Sequence, residues 1–419
     1  MSDRLRLLVL CPHFDPDSAP TGVVISRIVE ELGALGHEVH VVTSLPWYRE
    51  HRVDQAWSTV RWRDRTSTTA WGTIARLHPR ADGDKRDLVR RACGFLGFSV
   101  ASIVAGVLAG RTGRRLDAVI AMSPPLTLGV AGRVVAWIRR APLVFNIQDV
   151  FPDAAVETGA ITNRWVIGAA RVLEKISYLL SSRVTVLSED LAGNVTSKIG
   201  PSRATRVVVI PNFVDTERIT PLDTATDYRR ELGLTDRPVV MYAGNIGFSQ
   251  SLELMVAAAR ARPNVDFVIN GSGSARPDLE RSASGLSNLV FGDFQPSERL
   301  SEVLASGDIH VVLLRRGLGR VSVPSKTFSI MAAGRPIVAA VDAGTEVPRL
   351  VDGARCGLVV PPDETESFIA AIDRLVADRD GRRDMGERAR AFVEGQASPR
   401  SVAERYANLV HEIRRRPLR

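Results

Sequence analysis

The chain has 419 residues, 45% of them apolar and 24% charged, which is too long for one ordinary core and sized for two globular domains rather than a disordered polymer. Three scattered cysteines (Cys11, Cys93, Cys356) and seven dispersed histidines without an H-E-x-x-H spacing argue against a disulfide framework or a zinc site, and suit a reducing cytoplasm. A net charge of +8 and a pI near 9.9 suit an acidic partner: nucleic acid, an anionic membrane or a phosphorylated small molecule.

Short apolar, β-branched runs alternate with helix-length segments along the whole chain, the pattern of parallel strands buried on both faces. The N-terminal run is too short for a signal-peptide core and reads as a strand over 5–10. In "PDSAPTGVVISRIVEELGALGHEVHVV", Gly22 falls in the loop before the first helix, where a glycine permits close approach to a phosphate. No G-x-G-x-x-G accompanies it, so a dinucleotide fingerprint is absent. A second strand follows over 39–43.

The segment 92–110, "ACGFLGFSVASIVAGVLAG", has no charge, with Lys85, Arg86, Arg90 and Arg91 on one side and Arg111, Arg114 and Arg115 on the other. Its glycines, serines and basic flanks disfavour a membrane span. A packed core helix and a helix dipping into an anionic leaflet both remain open. Further strands are expected over 118–121, 143–147, 184–187 and 207–210. Just beyond the second of these, "QDVFPDAAVETGAI" sets Gln148, Asp149, Asp153 and Glu157 at a strand's carboxyl end, where carboxylates act as bases, bind hydroxyls or simply form turns. The polar passage 211–238 separates two strand series and reads as a linker.

In the second series, strands are expected over 239–242, 265–270, 289–291, 309–314, 337–340 and 357–360. "MYAGNIGFSQSLE" places Gly244, Asn245 and Gly247 in a loop able to present backbone N–H groups to a phosphate. "FVINGSGSARPDLE" ends a strand in Gly271-Ser272-Gly273, where a flat ring can approach. Each also reads as an ordinary turn. "VSVPSKTFSIMAAGRPIVAA" sets Pro324, Ser325 and Lys326 at a helix start, where unpaired N–H groups, the helix dipole and a lysine together favour a phosphate; a plain capped helix is the alternative. These features predict two doubly wound α/β domains in tandem, with ligands beyond the carboxyl ends of the strands and in a cleft between the domains. The basic residues lack aromatic interleaving, so nucleic acid is not an expected partner.

Taken together, "PTGVVISRIVEELGALGHEVHVVTSLPWY", "QDVFPDAAVETGAI", "VIPNFVDTERITP" and "VPSKTFSIMAAGRPIVAAVDAGTEVPRLVDGARCGLVVPPDE" resemble the GT-B glycosyltransferases of the large retaining family 4, in particular bacterial members that build capsule, colanic-acid-type or O-antigen polysaccharides. The resemblance spans essentially the whole chain. It implies an acceptor-binding Rossmann-like domain over 1–215, a nucleotide-sugar domain over 216–395 and a C-terminal helix over 396–419 packing back on the first, with the two domains facing a central cleft. It further implies metal-independent, retaining transfer of a hexosyl or N-acetylhexosaminyl group without a cofactor. The donor would be a nucleoside-diphosphate sugar, the acceptor a glycan or polyprenyl-linked sugar, and the enzyme cytoplasmic with peripheral contact at the inner membrane face.

By the same resemblance, Gly22, Gly244, Asn245, Ser325, Lys326 and Thr327 would meet the donor phosphates. Gly271, Gly273, Phe294 and Glu346 would lie near base and ribose, and His13, Gln148 and Asp153 on the acceptor side. Asp149 and Lys326 would carry catalytic roles, and no Asp-x-Asp motif for a metal is present. The chain also departs from the family pattern. Val321 and Ser329 stand where many members have two glutamates, Asn245 and Gln250 where an Arg and a Lys are usual, and Gln148 where a histidine is common. A nucleotide-sugar 2-epimerase and a non-catalytic glycan-binding or scaffold protein are the alternatives.

Overall fold

The computed structural model describes residues 4–17, 19–48, 52–60, 65–79, 88–110, 115–148, 163–234, 236–318 and 326–415. In it the apolar runs become the strands of two separate sheets, and the chain divides into two units, Met1–Asn212 with Val402–Arg419, and Phe213–Ser401.

The first unit holds eight strands: β1 (Arg6–Leu10), β2 (Glu38–Ser44), β3 (Thr66–Thr69), β4 (Gly72–Leu77), β5 (Ala118–Ser123), β6 (Leu143–Ile147), β7 (Arg183–Val186) and β8 (Val207–Val209), in the order β3-β4-β2-β1-β5-β6-β7-β8. All neighbours are parallel except β3 and β4. Strands β1, β5 and β6 are buried at every position, as strands covered on both faces must be. The β3–β4 hairpin is absent from the sequence reading for a physical reason. "TSTT" is a polar, exposed edge strand, and it gives no apolar run.

Among the described residues six helices accompany this sheet in sequence: α1 (Pro20–Ala34), α2 (Gln55–Ser58), α3 (Leu88–Leu108), α4 (Thr127–Ile138), α5 (Arg164–Leu180) and α6 (Glu189–Ile199). Helix α3 packs along α4, α4 along α5 and α5 along α6. The crossovers from β4 through β8 step in one direction across the sheet, so their right-handedness lays these helices on one face, while α1 steps the other way. Asn163 caps α5 by accepting from Trp165 N at 2.9 Å, and Ser188 caps α6 by accepting from Leu191 N at 3.2 Å. Among the described residues no helix is long and apolar enough to cross a membrane.

The second unit holds β9 (Val239–Ala243), β10 (Asp266–Asn270), β11 (Leu289–Gly292), β12 (Ile309–Leu313), β13 (Ile337–Ala340) and β14 (Gly357–Val360), all parallel, in the order β11-β10-β9-β12-β13-β14. Its helices are α7 (Asp227–Glu231), α8 (Glu253–Ala261), α9 (Arg276–Ser282), α10 (Leu300–Ala305), α11 (Lys326–Ala332), α12 (Glu346–Ala354), α13 (Thr365–Ala377) and α14 (Arg379–Gln396). Strand order reverses between β9 and β12, the switch point at which such sheets bind ligands. The passage 211–238 is more than a linker, because Val214, Ile219 and Tyr228 are buried in this unit's core.

A last helix, α15 (Pro399–Arg415), belongs to the first unit from Val402 onward. There Asn146 Nδ2 donates to Tyr406 Oη at 2.6 Å, Arg183 pairs with Glu412 at 3.1 Å and Arg414 with Asp117 at 3.2 Å.

Candidate active site

Strand β9 pairs with β12 only at Val240 and Met241, opposite Ile309 and His310. Beyond those residues the strands part, and a cavity of about 500 Å³ opens at their carboxyl ends, bounded by Ala243 on one side and Leu313 and Leu314 on the other. Its apolar wall is Leu300, Val303 and Leu304 of and around α10. Its polar wall is Gly244, Asn245, Gln250, Lys326 and Ser329, with Asn270, Phe294 and Gln295 completing the lining.

Lys326, the first described residue of α11, is the only cationic side chain in this lining among the described residues. Its Nζ sits 3.8 Å from the centroid of the Tyr242 ring, within cation–π range. Gly244, at φ +144°, leaves room for it: a Cβ there would come 3.0 Å from Lys326 Nζ. Tyr242 Oη in turn donates to Asn245 O at 2.5 Å, so the ring under the lysine is fixed to the loop beside it. Among the described residues no carboxylate pairs with Lys326. Burial without a counter-ion lowers its pKa from the ordinary 10.5 to about 7.

The two glycine loops are joined to each other. Gly244 N donates to Asn270 O at 2.9 Å and Ile246 N to Ser272 O at 2.9 Å, continuing the β9–β10 ladder past the strand ends. This explains Gly271 and Gly273, at φ +140° and +158°: a Cβ on either would meet the carbonyl oxygen of Gly244 or Ile246 at 1.9 or 2.2 Å. Gly247 N donates to Gln250 Oε1 at 3.0 Å and Gly271 N to Gly292 O at 3.0 Å. Of the backbone N–H groups expected at Gly244, Asn245 and Gly247, those of Gly244 and Gly247 are therefore already used within the protein. Arg276 locks the outer loop by donating to Gly271 O at 2.8 Å and pairing with Asp293 at 2.5 Å.

The remaining expected donor residues fall in different places. Phe294 is 58% exposed at the cavity rim. Thr327 is fully buried and does not line the cavity, because its position on α11 faces the core. Glu346 opens α12 outside the cavity and turns its carboxylate to Arg349 at 3.1 Å. Ser325, Asp149 and Asp153 lie outside the described residues, as does Val321.

In the first unit, Gly22 is not in the loop before α1. Pro20 begins the helix two residues earlier, so Gly22 lies in its first turn, where a Cβ would come 2.9 Å from His13 Cβ. His13 follows β1 and is buried, with Nδ1 2.6 Å from Asp17 Oδ2. It stacks on Trp47 at 5.4 Å and meets the edge of Tyr48 at 5.5 Å. Asp17 Oδ1 also accepts from Tyr48 N at 3.1 Å. Gln148, beyond β6, is committed to a buried chain: its Nε2 donates to Asn146 Oδ1 at 2.7 Å and its Oε1 accepts from Asn212 Nδ2 at 3.1 Å.

The sequence reading did not single out Tyr242, Arg276 or Asp17 as functional. Tyr242 lies two residues before Gly244 and Asp17 four after His13, spacings that carry a signal only once the lysine and the histidine are placed. Among the described residues no cluster of three or more His, Cys, Asp or Glu side chains could hold a metal ion.

Comparison with known proteins follows the two-unit division. Residues 21–212 match the glycosyl transferase 4-like domain, and residues 237–378 match the glycosyl transferases group 1 family. Over 381 residues the chain is 29% identical to an Escherichia coli protein named for colanic acid biosynthesis as the glycosyl transferase WcaI, covering 88% of this chain and 91% of that one. Among solved structures, sucrose-phosphate synthase from Thermosynechococcus elongatus superposes with a TM-score of 0.71 at 17% identity, covering 98% of this chain and 99% of that one. Anabaena HepE in complex with UDP gives 0.67 at 15% identity, covering 97% and 100%. At these identities the two structures share the fold.

Proposed function

Because the chain belongs to the group 1, family-4-like glycosyltransferases, we propose that it moves a hexosyl or N-acetylhexosaminyl group, with retention, from a nucleoside-diphosphate sugar to a glycan acceptor in cell-surface polysaccharide biosynthesis. The second unit binds the donor in the cavity beyond β9 and β12, and the first unit holds the acceptor. The observation that carries this reading is Lys326, a cation in a cavity with no carboxylate partner among the described residues. A diphosphate supplies the missing counter-charge. As the glycosidic bond breaks, the same ammonium stabilises the negative charge that grows on the leaving nucleoside diphosphate, a task that needs no divalent ion there.

The apolar wall of Leu300, Val303 and Leu304, with Phe294 at the rim, suits a flat base. The fold shared with HepE, solved with UDP, supports a uridine nucleotide as the first to test. On the acceptor side, the buried His13–Asp17 pair, stacked on Trp47, holds the exposed Tyr48 beside it, an aromatic ring suited to a sugar. The name of the Escherichia coli relative supports a polysaccharide precursor as the acceptor, and a polyprenyl-linked sugar is the form proposed for it.

Calorimetric titration of uridine, guanosine and adenosine diphosphates and their sugars into the wild-type chain tests the reading. One base is expected to bind, and Lys326→Ala to weaken it by about tenfold to hundredfold, the loss of one charge-assisted hydrogen bond. Folded protein that binds none of them would overturn the proposal and favour a non-catalytic role.

A further inference from the structure

Eleven of the sixteen large apolar side chains that are exposed among the described residues lie on α3, α4 and α5. On α3, Leu96, Val100, Val104 and Leu108 recur every fourth residue and are each more than half exposed, so they form one stripe about 18 Å long on the outer face. On α5, Trp165, Val172, Ile176 and Leu180 form a second stripe at helical spacing. Between them, α4 ends in Trp137 and Ile138, and Trp137 is 71% exposed. The three helices pack side by side in one layer, so the stripes share one face of the first unit. An apolar face of this extent on a folded domain marks a contact surface.

The charges on these helices say what it contacts. Neither α3 nor α4 contains an Asp or Glu. The single acid of α5, Glu174, is buried, accepting from Lys198 Nζ at 2.7 Å and from Tyr178 Oη at 2.9 Å. The same three helices and the residues directly after α4 carry Arg133, Arg139, Arg140, Arg164, Arg171 and Lys175. Arg139 donates to the carbonyls of Val107 and Ala109 at the end of α3, which places its positive charge beside Leu108. Two-fold packing of this face on a second copy would bring like charges together. A face with exposed tryptophans, aliphatic stripes and basic residues but, among the described residues of its three helices, no exposed acid is complementary to an anionic lipid surface.

We propose that the outer face of α3, α4 and α5 docks on an anionic bilayer, with the stripes of α3 and α5 entering the headgroup layer and the basic residues meeting lipid phosphates. The helices lie on the membrane and do not span it. The surface is independent of the donor cavity. Docking is read without nucleotide or acceptor, so its failure and the failure of the transferase reading are distinguishable.

The test is cosedimentation of the full chain with vesicles of phosphatidylglycerol and phosphatidylethanolamine, compared with vesicles of phosphatidylcholine alone. Wild type is expected to sediment with the anionic vesicles and to be released by salt. Val100→Glu with Val104→Glu should reduce partitioning by more than about tenfold, and each of Arg164→Ala, Arg171→Ala and Lys175→Ala by about fivefold. Val23→Glu, at an exposed position of α1, should leave it unchanged. Melting by circular dichroism checks that the glutamate variant folds; if it does not, the three alanine variants decide alone. Wild type that stays in the supernatant overturns the proposal. So does a dimer in sedimentation velocity that Val104→Glu dissociates, which would make the face an interface between copies.

Discussion

At the carboxyl end of β1, His13 is bonded to Asp17 and packed on Trp47, whereas at the carboxyl end of β9, Lys326 has a tyrosine ring beneath it and no carboxylate beside it among the described residues. The two sites occupy equivalent places, each at the carboxyl end of a central strand with which its sheet begins in sequence. Polar groups in the first are satisfied from within, by Asp17 to Tyr48 N and by Gln148 to Asn146 and Asn212. In the second, the backbone donors of Gly244, Ile246 and Gly247 are bonded, but among the described residues no carboxylate pairs with Lys326. A buried cation without a partner is unfavourable, and its proton is correspondingly loosely held. Such an arrangement persists where a ligand supplies the missing charge, so the contrast supports the proposal of anion binding in the second unit.

Substitutions that break this contrast should have graded effects. The largest is expected of Gly271→Val, which forces a Cβ onto Gly244 O at a positive φ. It should lower stability by about 3 kcal/mol in denaturant unfolding and abolish nucleotide binding by separating the two loops. Lys326→Ala should preserve the fold and cost about 1.5–3 kcal/mol of nucleotide affinity by calorimetry. Asp17→Asn should slow transfer to acceptor about tenfold by loosening His13 while leaving nucleotide affinity unchanged. An effect of Asp17→Asn on nucleotide affinity would break the separation of the two loops. Tyr242→Phe keeps the ring under the lysine and removes only the bond to Asn245 O, so a loss of about 1 kcal/mol in nucleotide affinity is expected.

Much of the fold was legible because strands buried on both faces leave continuous apolar runs. Leu143–Ile147, Ile337–Ala340 and Gly357–Val360 were bounded to the residue, and the other expected strands within one or two. The β3–β4 hairpin was not, because an exposed threonine-rich edge lacks that signal. At the site, Lys326 and the glycine loops were visible as residue types, but their arrangement was not. Gly271 and Gly273 looked like openings for a ligand, yet each is required by a neighbouring carbonyl about 2 Å from where its Cβ would stand. Gly22 was placed in a loop because the proline that starts α1 also reads as a turn former. Tyr242 was hidden inside an apolar strand run, and only the three-dimensional approach of Lys326 gives its ring a role.

The most direct test is the proton balance of nucleotide-sugar binding, obtained by calorimetry in buffers of different ionisation heat at about pH 6 and about pH 8. Free Lys326 titrates near pH 7 and a bound diphosphate raises that value, so full affinity holds below pH 7 and is lost as pH rises above it. Binding at about pH 8 should therefore take up most of one proton, binding at about pH 6 almost none, and Lys326→Met should abolish the difference. Equal proton uptake by wild type and Lys326→Met at both pH values would show that Lys326 does not meet the diphosphate, and would contradict the assignment of the donor site.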